Sequence, residues 1–225
     1  RPLDDEISRR SLKTFLKMLD PMKIYFYQSD IDEFALQENE LDDMAKKGDI
    51  GLAYSVFERF LKRLDQCVAL VDDLLAAEHN FSLDEQIITD KDLLKYPRNE
   101  AEAHERWRKR VKFELLSHKA DKILAEENKK AGEEEAEKDT DEENEDPIEK
   151  ISKRYQNLAR RWHQTDGDEL LELYLTAITM SFDPHTNYMS PSTLENFQIM
   201  MRLELEGIGA ALRAKDGYTV VERII

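Results

Sequence analysis

The residues best suited to chemistry lie near the end of the chain, in Glu206-Gly207-Ile208-Gly209-Ala210. Glycine reaches backbone angles that a Cβ forbids, so a Gly-apolar-Gly-apolar turn opening a strand can aim successive backbone N–H groups at one point. Such a nest holds an anion, for example the carboxylate at a peptide's C-terminus. Ala211, Leu212 and Arg213 continue as a strand whose edge can pair with the rest of that peptide. The expected peptide-binding residues are therefore Gly207, Ile208, Gly209, Ala210, Ala211, Leu212 and Arg213, and the expected ligand is the end of another polypeptide.

No catalytic residue is assigned within the chain. Its five histidines (His79, His104, His118, His163 and His185) lack the four-residue spacing of a zinc-binding helix, and none neighbours the single cysteine, Cys67. There is no Gly-x-Ser-x-Gly elbow, no phosphate-binding loop and no dinucleotide fingerprint. No metal and no cofactor are expected. Cys67 sits on an apolar helical stripe and reads as a buried structural thiol. In Asp183-Pro184-His185-Thr186-Asn187-Tyr188 the Asp-Pro step ends a helix, and Asp, Thr and Asn side chains bond nearby backbone. That segment reads as a rigid elbow, with His185 part of the turn and not a base.

Composition narrows the partners. The 225 residues carry a formal charge of −16, which argues against nucleic acid, where Lys and Arg must displace counterions. It also disfavours peripheral binding to anionic lipid, and no apolar run approaches a transmembrane span. The start at Arg1-Pro2-Leu3, without Met or a signal-peptide pattern, suggests a processed or excised chain.

The elements that must position the loop are helical. Residues 1–182 read as an N-terminal helical domain, an irregular antiparallel bundle. Helices are expected over 4–19, 30–47 (capped by Ser29 with Asp32), 50–78 (capped by Asp49), 99–125, 148–162 and 168–182. The longest carries Leu52, Val56, Phe57, Phe60, Leu64, Cys67, Val68, Val71, Leu74 and Leu75 on one face, and the next carries Trp107, Val111, Phe113, Leu115 and Leu116. Residues 126–147 hold twelve acidic residues against three lysines, too little apolar surface to offset their own ordering entropy, and are expected to be a mobile insertion. Residues 183–205 form the elbow and a connecting helix. From 206 the period becomes that of strands, with 208–214 and 218–225 flanking Lys215-Asp216-Gly217. Two strands alone are marginal, so 206–225 reads as an incomplete domain: a truncated β-hairpin.

The run Asp183-Pro184-His185-Thr186-Asn187-Tyr188-Met189-Ser190-Pro191, followed by Leu203-Glu204-Leu205-Glu206-Gly207-Ile208-Gly209-Ala210, resembles the junction in C-terminal processing peptidases. Within them the chain is most similar to the tail-specific protease subgroup, through Tyr96-Pro97-Arg98-Asn99-Glu100-Ala101-Glu102, the stretch from Trp107 to Leu116, and Leu19-Asp20 with Ser29-Asp30-Ile31-Asp32-Glu33-Phe34. The resemblance implies a helical domain leading into a PDZ domain whose Gly-Ile-Gly loop binds the substrate's terminal carboxylate. It implies a parent that is a secreted or periplasmic serine endopeptidase with a Ser–Lys dyad, in which burial lets the lysine act as base. Neither dyad position falls in this sequence, so the fragment is expected to be inactive alone. Ala210 stands where PDZ domains favour a larger apolar residue, which widens the pocket for the ligand's last side chain. The alternative is a non-enzymatic helical module that binds a partner or adaptor protein.

Overall fold

The computed structural model describes residues 2–131, 146–202, 209–215 and 218–224. They form helices α1 (Asp5–Leu19), α2 (Gln28–Ala35), α3 (Leu41–Lys47), α4 (Gly51–Ala76), α5 (Glu100–Ala131), α6 (Pro147–His163), α7 (Gly167–Phe182) and α8 (Pro191–Arg202), then strands β1 (Ala210–Lys215) and β2 (Tyr218–Ile224). The fold is mainly helical with one small antiparallel sheet, as periodicity predicts. Among the described residues, no helix is long and apolar enough to cross a membrane.

Two compact units divide the chain. One comprises Arg1–Pro21, Asp30–Leu61 and Arg160–Ile225, the other Met22–Ser29 and Lys62–Ala159.

In the first unit, Asp4 starts α1 by accepting the Ile7 N–H on Oδ1 at 3.0 Å, and Asp20 ends it before Pro21. Ile7, Leu12, Phe15, Leu16 and Leu19 then fall on one face and are buried. α1 packs along α7, where the Phe15 ring meets Tyr174 edge-on at 5.7 Å. Phe60 on α4 meets Trp162 on α6 in the same edge geometry, at 5.0 Å. Arg59 of α4 holds α2 by donating to the buried Asp30 carboxylate at 2.6 Å.

The expected single helix over 30–47 is instead two. Ser8 on α1 explains the break. Its Oγ accepts the Asp42 N–H at 2.9 Å and donates to Asp42 Oδ1 at 3.0 Å, with both residues buried. A continuous helix would have committed that N–H to the carbonyl four residues back. Starting α3 at Leu41 leaves it free for Ser8. Gly48, at φ +70°, terminates α3 after Lys46 and Lys47 as their order suggests. Helix α2 also begins earlier than expected, so Ser29 lies inside it, and the Gln28 N–H is taken by the Pro97 carbonyl at 2.8 Å.

The second unit centres on Cys67, Val71, Leu74 and Leu75 of α4, Trp107 and Val111 of α5, and Ile151 and Tyr155 of α6. Trp107 donates Nε1–H to the Ile24 carbonyl at 3.1 Å, so its polar end is satisfied while its ring is buried. Phe113 and Leu116 do not join this core. They are 50% and 45% exposed, because they lie roughly half a turn around α5 from Trp107 and Val111. Helix α5 also runs on to Ala131, into the acidic tract, and Pro147 opens α6. Most of that tract, 132–145, lies outside the described residues.

Two buried hydroxyls should respond oppositely to deletion. Ser8→Ala removes both of its bonds to the buried Asp42 and should cost about 1–3 kcal/mol. The Tyr174 hydroxyl is buried with no hydrogen-bond partner among the described residues, and burial, with the Asp49 charge adding, pushes its pKa up to about 12. Tyr174→Phe should therefore leave stability unchanged or raise it by up to about 1 kcal/mol. Urea unfolding of the two variants checks both; a large loss for Tyr174→Phe would contradict the assignment.

Candidate functional site

The approach to the predicted binding loop is built from α7. Asp166 caps that helix through a reciprocal box with Glu169, which sets its phase. Glu172, Thr176 and Thr179 follow at four- and three-residue steps and so share one face. Asp183 stops the helix: its N–H reaches the Thr179 carbonyl at 3.2 Å, and its Oδ1 accepts the His185 N–H at 3.0 Å. A further bond from the Thr186 N–H to the Asp183 carbonyl, 3.0 Å, closes the turn.

The chain then returns along the polar face of α7. Thr179 Oγ1 donates to the Thr176 carbonyl at 3.0 Å and lies 3.3 Å from the Thr186 carbonyl, and Thr176 Oγ1 both accepts the Tyr188 N–H and lies 3.3 Å from the Tyr188 carbonyl. Glu172 Oε2 accepts the Ser190 N–H at 3.1 Å and the Thr193 hydroxyl at 2.8 Å. Ser190, itself buried, caps α8 by accepting the Thr193 N–H at 3.2 Å, and Pro191 fills the first helical position, where a missing N–H is harmless. Burial works against the charged form of Glu172, but the bonds from Ser190 and Thr193 outweigh it and hold its carboxyl below the usual range. His185 is exposed and takes part in the turn through its backbone.

Helix α8 has no buried residue, and Leu194, Phe197, Met200 and Met201 are exposed. The predicted binding residues divide beyond it. Gly207 and Ile208 lie outside the described residues. Gly209 has φ +71°, the left-handed region that favours glycine, with open space where a Cβ would stand. Ala210, Ala211, Leu212 and Arg213 belong to β1, which starts at Ala210. β1 pairs antiparallel with β2, from Ala210 opposite Ile224 to Lys215 opposite Tyr218. The register slips between Ala211 and Leu212, which leaves Glu222 as the extra residue of a β-bulge; Glu222 pairs with Arg213 across the strands at 3.7 Å. Among the described residues β1 pairs with β2 alone, so its other edge carries no strand.

Sequence reasoning missed Glu172, Thr176 and Thr179. The signal was present, as a Glu and two Thr on one helix face just before a segment rich in hydrogen-bonding residues. Among the described residues, no group of three or more His, Cys, Asp or Glu converges to hold a metal ion.

The family model described as "Tail specific protease N-terminal domain" matches residues 1–192. A "Tail-specific protease" of Haemophilus influenzae is 31% identical over 224 residues, which is 99% of this chain and 30% of that protein. The chain therefore spans about 30% of the length of this curated relative.

The elbow should be acid-sensitive through Glu172. Its pKa is lowered by folding, so its contribution is complete above the ordinary value of 4.5 and is lost as pH falls through the depressed folded value. Glu172→Gln should cost about 1–2 kcal/mol at neutral pH and abolish that part of the acid dependence. Carbon-detected NMR titration of the Glu172 carboxyl, with urea unfolding of the variant across pH, checks both statements. A midpoint at or above the ordinary glutamate value would contradict them.

Proposed function

The chain belongs to the tail-specific protease N-terminal domain family, and from that premise we propose that it is the scaffold and first capture element of a serine endopeptidase that engages proteins by their C-terminal tails. Residues 206–225 are taken as the opening strands of a PDZ-like domain. Backbone N–H groups around Gly207, Ile208 and Gly209 receive the terminal carboxylate, and Ala210, Ala211, Leu212 and Arg213 offer main-chain groups to the residues before it. The Ser–Lys dyad belongs to a part of the parent beyond this sequence, and the parent works in the periplasm or another exported location. Its partners are substrate C-termini, with an adaptor protein as a further partner.

One observation carries this reading. Gly209 adopts a left-handed backbone immediately before β1, and among the described residues β1 is paired on one side only. Peptide capture by strand addition needs both features, since the turn aims N–H groups at the anion and the open edge supplies the ladder. The small side chain at Ala210 favours a bulky last residue on the ligand. Flanking apolar residues of the hairpin, Leu212 and Val221, are exposed and available to such a chain.

The test uses the full-length parent. Calorimetry with an apolar-ended peptide and its C-terminally amidated copy should show a loss of about 1.5–3 kcal/mol on amidation, the worth of hydrogen bonds to a charged group. Equal affinities would remove the carboxylate from the account. Gly209→Val should weaken the free peptide selectively, because a branched residue is strained at positive φ.

A further inference from the structure

We propose that α5 and the connection in front of it form a docking groove for an acidic amphipathic helix of a partner protein. The groove lies wholly within the second compact unit and does not depend on tail capture. The connection between α4 and α5, residues 77–99, contains no helix or strand, and a structureless connection of that length in a compact protein is usually either functional or a disordered linker. It is nevertheless fixed in place. Glu85 is clamped by Arg108 and Lys112, the Leu94 carbonyl accepts from Lys23 Nζ at 2.6 Å, and the Lys95 carbonyl accepts from Arg106 Nη1 at 2.6 Å.

Between these clamps the connection stands off α5 and encloses a cavity of about 510 Å³. Ile24, Ile87, Ile88 and Leu93 give it apolar walls. Ile88 and Leu93 remain 59% and 65% exposed, so the apolar surface faces outward. Along α5 the same face continues past the cavity as Phe113, Leu116, Ala120 and Ile123. These follow in steps of three, four and three, the spacing of a helix–helix seam, and all four are exposed. Trp107, Val111 and Leu115 on the opposite side of α5 already supply its core contacts, so the core gives no reason for this second stripe. Contiguous exposed apolar surface of this kind marks an interaction site.

Charge selects the occupant. The cavity lining includes Lys95, Arg106, Lys109 and Arg110 against Glu102 and Glu105, a net positive rim in a chain of net charge −16. Residues 106–122 hold seven Lys or Arg against two acidic residues; Glu85, Glu102 and Glu105 also pair with cations of this stretch, which leaves it a smaller but still positive excess. A second copy of the same basic stretch would be repelled, whereas a helix with Leu-type residues at i, i+3, i+4 and i+7 and flanking Glu would be attracted. A flat anionic membrane fits the concave cavity poorly, whereas aliphatic side chains projecting from a helix can enter it as anchors.

A synthetic helix-forming peptide with a Leu stripe flanked by Glu, titrated against the 225-residue chain and followed by amide NMR shifts, tests the proposal. The peptide should bind at micromolar concentrations, shift residues 86–95 and 106–124, and weaken as salt rises. Replacing its Glu by Lys should weaken binding at least tenfold. So should the double variant Leu116→Glu, Ile123→Glu, whose positions are exposed and so tolerate the change. Equal binding of a scrambled peptide or of the Lys version would overturn the proposal. It would also be overturned by no shift at millimolar peptide, or by binding only to phosphatidylglycerol vesicles.

Discussion

Ser190 is buried, and its backbone N–H must find an acceptor or cost roughly 1–3 kcal/mol. The Glu172 carboxylate on α7 provides one at 3.1 Å and takes the Thr193 hydroxyl at the same time. With Thr176 and Thr179 it forms a polar track that the chain follows back from the end of α7. The direction of α8 depends on this track, because its cap, Ser190, is held there. Without it, Asp183 and Pro184 would still end the helix, but nothing would fix where the chain goes next. The elbow is thus a hydrogen-bonded structure whose order comes from a neighbouring helix face, and not from its own few apolar residues.

The same logic recurs in the helical part. A buried polar group is tolerated where a defined partner meets it, and the backbone adjusts to allow the meeting. Ser8 and Asp42 interrupt what would otherwise be one helix, and Trp107 is pinned by the Ile24 carbonyl; the half-buried Glu85 is likewise drawn down by Arg108 and Lys112, its carboxyl pKa lowered to about 2. These contacts position loops and helix ends. The bulk of the burial comes from aliphatic and aromatic stripes that any matching periodicity would supply.

That distinction explains what the sequence revealed. The stripes of α1 and α4 were legible from spacing alone, and so were the turn at Gly48 and the capping of α4, where the Gly51 N–H does bond to Asp49 Oδ1 at 2.8 Å. The break between α2 and α3 was not, since it depends on a serine 34 residues away along the chain. Phe113 and Leu116 lie on a second apolar face of α5, and periodicity alone cannot say which of the two faces meets the protein. For the candidate site, the glycine-to-strand transition was legible: Gly209 takes the left-handed backbone that its residue type permits. The bulge at Glu222, whose carboxylate reaches Arg213 across the strands, was not, as it arises from pairing register.

The dependence of the elbow on the α7 track can be tested amide by amide. Hydrogen exchange of the Tyr188 and Ser190 N–H groups in the intact chain is the direct measurement, since their acceptors are Thr176 Oγ1 and Glu172 Oε2. The account predicts protection approaching that of amides in the middle of α7, despite the irregular backbone. Exchange at the rate of an open, solvated loop would contradict it.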